Sequence, residues 1–493
     1  MENERNPLAT ARRDVWEGGQ AAGLKEGGKR RRRGARRLVT GVVVALLAGA
    51  GVWFWPTEDA PEQPPAPAPG AQALAAVTFG VPAALPDLAV LIGQREAAVR
   101  EHPADARSWA VLGAAYVEQG RRTADATYYP RAEQALRTSL KARPKANVDA
   151  LGALAALANA RRDFRAARTW GEAALKAAPK RWTTYPLLLD AYTGLNDYKA
   201  TGRVLEKLTE LRSGPTVLAR TGWVYRDKGW REDAAANLAD AAAGATTPAE
   251  QAAWLERSGQ LAWERGERED ALRHFQEAVR LDPDQRAAQA GQGRALASLG
   301  RTTDALNAYR VALDGQPCPQ YALELGELYE SLGLGQAAKV QYDLLRARVR
   351  ADAAGGVDDE LVLGVFEADH GDPASAVRRL RAEWRRQPGI EVADALGWAL
   401  HRTGDDKEAL RFATAATDKA HGGGVRSALF AFHRGLIERE LERYGPARRH
   451  LQDALRVNPH FSPLRVPLAK AALASLGEVP DEPLPTGTPA PTA

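Results

Sequence analysis

Between Leu255 and Pro317 the small, apolar and breaking positions follow one pattern written twice, 34 residues apart. Gly259 matches Gly293, Gly266 matches Gly300, and Ala271 matches Ala305. Phe275 matches Tyr309, Ala278 matches Ala312, and Pro283 matches Pro317. Six matches at one offset indicate a repeat architecture. Each unit reads as a pair of helices. Gly266 and Gly300 stand between two apolar-periodic runs, where a helix stop is expected. Pro283 and Pro317 close the second run, because proline cannot continue a helix. Gly259, Gly293, Ala271, Ala305, Ala278 and Ala312 sit where two helices would touch, and Phe275 and Tyr309 fill the gap beside them. One such hairpin cannot bury its apolar face alone, but stacked copies can.

Carried along the chain, the register finds about ten such hairpins. The first full unit carries Trp109, Leu112, Gly113 and Tyr116, then Ala132, Leu136, Ser139 and Pro144. An insertion between Gly120 and Ala132 holds Tyr128 and Tyr129 and is expected in a loop. The third unit is degenerate, with Tyr185, Leu188, Tyr192, Leu205 and Leu208. Later units carry Gly222, Gly326, Gly364, Gly397 and Gly435 at the same register position. Leu85 to Pro103 reads as a lone second helix capping one end, and a helix from Ser462 to Leu476 as the cap of the other. The expected repeat domain spans residues 80–476.

The order of an apolar-Gly-aromatic first helix, a small-aromatic-small second helix and a proline resembles the tetratricopeptide repeat. The resemblance covers Leu85 to Leu476. It departs from the family pattern at Glu367, where an aromatic residue or leucine is usual. It implies an all-α fold, a right-handed superhelical solenoid whose first helices line a concave face, and a binding rather than a chemical role. On that face the register leaves positions that packing does not need, and large or polar residues there are the candidate partner-binding set: Trp223, Arg226, Gln260, Trp263, Arg294, Glu327, Trp398 and His401. Tryptophan and arginine are typical interface anchors. The alternative is that each tryptophan packs against the helix of the next repeat. The stretches Ala393 to Leu410 and Phe432 to Leu464 also resemble long repeat proteins of actinobacteria, and the excess of arginine over lysine fits a high-GC bacterial genome. A membrane-anchored actinobacterial type is the expectation.

That anchor is read at the other end of the chain. Leu38 to Trp55 is an 18-residue stretch without a charge. As a helix it would reach roughly 27 Å, near the thickness of a bilayer core. It is therefore expected to be one transmembrane helix before the solenoid. The basic cluster Lys29 to Arg37 precedes it, and Glu58, Asp59 and Glu62 follow, so the N-terminus is expected in the cytoplasm and the solenoid outside the cell membrane. A cleaved export signal is the rival reading. Residues 1–37 are expected to be a disordered basic arm, 56–79 a Pro/Ala-rich linker, extended from Pro56 to Gln72, and 477–493 a disordered tail.

Charge separates these parts. The chain has a pI of 9.2. Residues 1–37 hold 11 Lys and Arg against 5 Asp and Glu, which leaves 56 against 57 for all the rest. The repeats are thus balanced, and no nucleic-acid partner is expected. The single cysteine, Cys318, excludes an intrachain disulfide and a multi-cysteine zinc site. No His-Glu-x-x-His motif, no phosphate-binding Gly-x4-Gly-Lys loop and no histidine pair at i, i+4 occurs. No catalytic residue, metal, cofactor or small-molecule substrate is expected. The function expected is a non-enzymatic scaffold or adaptor at the membrane, binding a protein or peptide in the concave groove. An exported chaperone-like module is the alternative.

Overall fold

The computed structural model describes residues 67–418 and 424–477. Within them 23 helices follow one another with no strand. The first pair is α1 (Pro69–Phe79) and α2 (Leu85–Glu101). The next pairs are α3 (Ala106–Thr123) with α4 (Tyr128–Ala142), α5 (Val148–Ala160) with α6 (Phe164–Ala177), and α7 (Thr184–Gly194) with α8 (Tyr198–Leu211). Then come α9 (Pro215–Asp227) with α10 (Arg231–Ala243), α11 (Pro248–Glu264) with α12 (Arg268–Leu281), and α13 (Arg286–Ser298) with α14 (Thr302–Gly315). The last pairs are α15 (Pro319–Ser331) with α16 (Gly335–Ala354), α17 (Glu360–His370) with α18 (Pro373–Arg386), α19 (Ile390–Arg402) with α20 (Asp406–Thr417), and α21 (Ala428–Glu440) with α22 (Tyr444–Val457). A single helix, α23 (Arg465–Ser475), follows them.

The unit formed by α11, α12 and α13 shows why the sequence folds this way. Thr247 caps α11 by accepting from the Glu250 amide, and Pro248 opens the helix where a missing N–H is harmless. Gly266 ends the helix pair's turn at φ 79°, a left-handed conformation that favours glycine. Helix α12 then buries Ala271, Leu272, Phe275 and Ala278 along one stripe. The Phe275 ring, fully buried, lies between Gly259 of α11 and Gly291 of α13. A Cβ on either glycine would stand 2.6 or 2.5 Å from that ring. Both helices can approach only because nothing projects there. Burying such a ring stabilises the fold by roughly 1.5–3 kcal/mol. Several second helices open on an aspartate that accepts from the helix's first free amides, as Asp163 does from Ala166 at 3.0 Å and Asp197 from Ala200 at 2.9 Å.

Two departures from the 34-residue period meet in space. Helices α3 and α16 run to 18 and 20 residues. The insertion noted after Gly120 extends α3 and builds the turn at Ala124, which has φ 50°. The Arg348 guanidinium of α16 donates to the Ala124 carbonyl at 2.8 Å. Gly355, at the end of α16, is so close to Ala126 that a Cβ would lie 2.4 Å from its carbonyl oxygen. The extra residues of one hairpin are thus matched by extra residues in another, far along the chain.

This contact belongs to a seam. The Gln316 amide donates to the Arg121 carbonyl at 3.0 Å, and Asn458 to the Trp263 carbonyl at 2.7 Å, each across 195 residues. Arg161 donates to the Gly355 carbonyl at 2.8 Å across 194 residues, and Arg162 pairs with Asp359 across 197. Gly389 stands against the Gly194 carbonyl, and Gly424 against Gly229. In each case the turn within one hairpin meets a connection between later hairpins. A fixed offset near 195, between five and six repeats of 34, means that one superhelical turn rests on the next.

Three expectations are corrected. Helix α2 is not a lone cap: α1 pairs with it, burying Ala73 and Ala76 beside Leu88 and Leu91. Prolines in the preceding stretch hid this alanine-rich helix, which takes residues read as linker. The Pro/Ala spacer therefore does not stay extended to Gln72, because Pro69 sits at the helix start, where proline is tolerated. Among the described residues the fold is an all-helical solenoid, and the transmembrane helix expected before it is not supported. No helix among the described residues is long and apolar enough to cross a membrane. The stretch Leu38 to Trp55 on which that expectation rested lies outside those residues, as do the arm 1–37, the linker up to residue 66 and the tail after Gly477.

Candidate functional site

The first helices of successive hairpins carry a continuous polar network along their shared face. Arg226 of α9 donates twice to the Glu264 carboxylate of α11, at 2.8 and 2.8 Å, and once to Asp227 at 2.8 Å. Gln260 of α11 donates to Glu264 at 3.0 Å and accepts from Arg294 of α13 at 2.6 Å. Arg294 pairs with Glu324 of α15 at 3.0 Å. Tyr309 and Gln320 also donate to Glu324, each at 3.0 Å. The links Arg226–Glu264, Gln260–Arg294 and Arg294–Glu324 each run from one hairpin to the next, which the helical register permits because these positions recur on one face. Burial works against ionisation of Glu264, but the Arg226 guanidinium more than offsets it and holds the carboxyl below its usual range. The network is therefore charged at neutral pH.

A cavity of about 580 Å³ opens at this face. Gln260, Trp263, Arg294, Glu324, Glu327 and Leu328 line one side of it, and the segment Pro459 to Pro467 lines the other. Glu327 accepts from Arg465 at 2.9 Å and lies 3.4 Å from His370. A second cavity, of about 320 Å³, is lined by Trp223, Arg220, Asp227, Arg162, Gln387 and Glu391 among others.

The structure thus sorts the sequence candidates into three groups. Gln260, Trp263, Arg294 and Glu327 come together at the larger cavity. Trp263 is at the same time 9% exposed and packed with Phe275 and Ala288, so only its edge is available. Trp223 lines the smaller cavity, with the Arg226 and Arg257 guanidinium groups 5.0 and 4.6 Å from its ring. Arg226 is in the lining of neither cavity and is held by Glu264 and Asp227. Trp398 and His401 line neither. Trp398 is 6% exposed, donates to Asp369 at 2.9 Å and stacks on His433 of the next hairpin at 4.3 Å. His401 Nδ1 is bonded to Asp406 at 2.5 Å.

Sequence reasoning passed over two residues on this face. Arg257 makes no ion pair among the described residues and lies over Trp223, and burial pushes its guanidinium down. Arg465, placed in the terminal cap, reaches back to Glu327 and Asp369. The 34-residue pattern singles out neither residue, and it carries no signal for Arg465, whose partners lie 138 and 96 residues away. Among the described residues no group of three or more His, Cys, Asp or Glu side chains is placed to hold a metal ion.

Residues 257–322 and 292–353 match the family model of the tetratricopeptide repeat. These residues are tetratricopeptide repeats. The match is to the repeat family as a whole and carries nothing on a membrane-anchored actinobacterial type. Such hairpins form an interaction scaffold, so proteins are the partners in general. Among solved structures, a human IFIT1 dimer with PPP-AAAA is similar at 18% identity over 64% of this chain and 73% of that one, with a TM-score of 0.42. The hetero-tetramer Cut9–Hcn1 of APC/C is similar at 16% over 75% and 76%, with a TM-score of 0.37. A tetratricopeptide repeat protein from Parabacteroides merdae is similar at 17% over 53% and 98%, with a TM-score of 0.32. No curated protein sequence matches the chain. Likenesses of this size carry no argument about the partner of this repeat protein.

Proposed function

We propose that this repeat protein is a non-catalytic scaffold that takes an extended segment of a partner protein or peptide at its larger inner cavity. The observation that supports this reading is the cavity itself. Three first helices, α11, α13 and α15, contribute Gln260, Arg294 and Glu324 to one concave surface of about 580 Å³. An indole edge, a leucine and fixed charged groups converge there, the mixture that anchors a peptide and sets its direction. Large apolar side chains give affinity, and the paired charges give orientation.

Recovery of partners from the cells in which the chain is native tests it. The full chain is compared with a Gln260→Ala/Gln320→Ala variant, with helicity and thermal midpoint measured for both. Gln320 is exposed at the cavity rim, and Gln260 bridges Arg294 and Glu264, so neither supports the apolar core. The expected result is loss of a specific co-purifying polypeptide from a folded variant. An unchanged set of partners would overturn the reading.

A further inference from the structure

The segment between α22 and α23 is tied to hairpins far earlier in the chain. The Asn458 amide donates to the Trp263 carbonyl. The Phe461 ring lies 5.6 Å from that of Phe432. Four residues on, the Arg465 guanidinium donates to Glu327 at 2.9 Å and to Asp369. Its side chain is 9% exposed, and the two carboxylates are 12% and 14% exposed. Asp369 is held from its other side by the Trp398 indole N–H at 2.9 Å. The segment Pro459 to Pro467 thereby roofs the larger cavity.

A terminal cap does not require this. Helix α23 buries Ala469 and Ala472 in the cluster that holds Leu451 and Ala454 of α22, and that apolar contact closes the end of the solenoid. Bringing a guanidinium out of water carries a desolvation penalty, which two carboxylates and their own partners must offset. Burial opposes ionisation of both Glu327 and Asp369, and Arg465 together with His370 at the one and Trp398 at the other more than offsets it. The pair of carboxylates, on α15 and α17, stands fixed by neighbours other than Arg465, namely His370 and Trp398. It has the geometry of a receptor for a planar cation.

We propose that Glu327 and Asp369 form an arginine receptor on the inner face, filled in cis by the chain's own strap. The partner it fits is an extended segment of another protein that carries an aromatic residue four positions before an arginine, and that takes the places of Phe461 and Arg465. This rests on the inner face being the binding surface. The charge of the receptor and the spacing of its present occupant define the partner's chemistry. Occupation in cis lowers the apparent affinity for the partner by the fraction of chains whose strap is seated.

The test uses the full chain, wild type and Arg465→Gln, and a fluorescein-labelled synthetic peptide with the sequence of residues 458–467. A second peptide carries glutamine in place of its arginine. The expected result is binding of the first peptide to Arg465→Gln about tenfold tighter or more than to wild type, with the second peptide losing that gain. Should Arg465→Gln fail to fold, Arg465→Lys is used, which keeps a charge in the receptor but not the forked donor set. Equal binding to both chains, no binding to a folded variant, or a dimer by light scattering through exchange of straps would each overturn the proposal. If the peptide fails while Gln260→Ala/Gln320→Ala still abolishes partner recovery, the receptor falls and the inner-face reading stands. If partner recovery is also unchanged, both fall.

Discussion

The side-chain amide of Asn458 donates to the backbone carbonyl of Trp263 at 2.7 Å, across 195 residues of chain. Asn458 is 2% exposed, so the bond is made out of water. It is one of a series that joins hairpin turns to connections about 195 residues later. Helical repeats stacked in a line touch only their neighbours, and their stability is close to a sum of local terms. Here the second superhelical turn also supports the first. Asn458→Ala is expected to destabilise the fold by about 1 kcal/mol, the net worth of one hydrogen bond, since the Trp263 carbonyl keeps the Gly266 N–H at 2.9 Å. Urea unfolding measures it. Hydrogen exchange is expected to rise around Trp263 to Glu267 as well as around residue 458, and a change confined to residue 458 would count against the seam.

Arg122 and Asp282, 160 residues apart, make a further enclosed ion pair between distant hairpins, at 2.6 Å with side chains 3% and 8% exposed. Arg122→Ala leaves a carboxylate buried without its partner and is expected to cost about 3–5 kcal/mol. Replacing both, Arg122→Met with Asp282→Leu, is expected to be near neutral. A double-mutant cycle in urea gives the coupling, and a value below about 0.5 kcal/mol would show that the two sites are independent.

Gly259→Ala puts a methyl group 2.6 Å from the Phe275 ring. The ring cannot swing away, because Gly291 backs it on its other side. The expected cost is about 1–3 kcal/mol, and Phe275→Leu in the same chain should recover part of it. Thermal unfolding of the two variants decides the matter, since equal midpoints would mean that the contact is not tight.

This same contact marks what the sequence could disclose. Gly259, Gly293, Phe275 and Tyr309 announced the hairpins, because local packing repeats at every copy and leaves a periodic trace. The seam left none. Asn458 and Arg465 find their partners through the superhelix, and nothing periodic marks them. The insertion after Gly120 stood as an isolated irregularity, and its match, the long α16, emerged only in space. Among the candidate site residues, register alone identified the face. It could not tell Gln260 and Arg294, at an open cavity, from Trp398, which is closed over by His433 of the following hairpin.

Asp352 ties the extended α16 to its own Arg348, which also holds the Ala124 carbonyl. Burial pushes its carboxyl up to about 6 from 3.8, against the pull of Arg348. The folded chain therefore holds this proton more tightly than the unfolded chain. The stability linked to it is full below the ordinary carboxylate value and is lost as pH rises through about 6. Asp352→Asn removes that loss. Its thermal midpoint is expected to exceed that of the wild type at pH about 8, with the gain fading by pH about 4. A gain of equal size at both pH values would mean that ionisation of Asp352 is not its source.

Photo-cross-linking from the cavity rim tests the central claim most directly. A benzophenone amino acid replaces Gln320, which is exposed and lines the larger cavity, or Val340, which is 62% exposed on a second helix and lines neither cavity. The full chain is irradiated in its native cells. A discrete polypeptide adduct from position 320 and none from position 340 is the predicted result. Adducts from position 340 alone would contradict the account and place the partner on the outside of the solenoid.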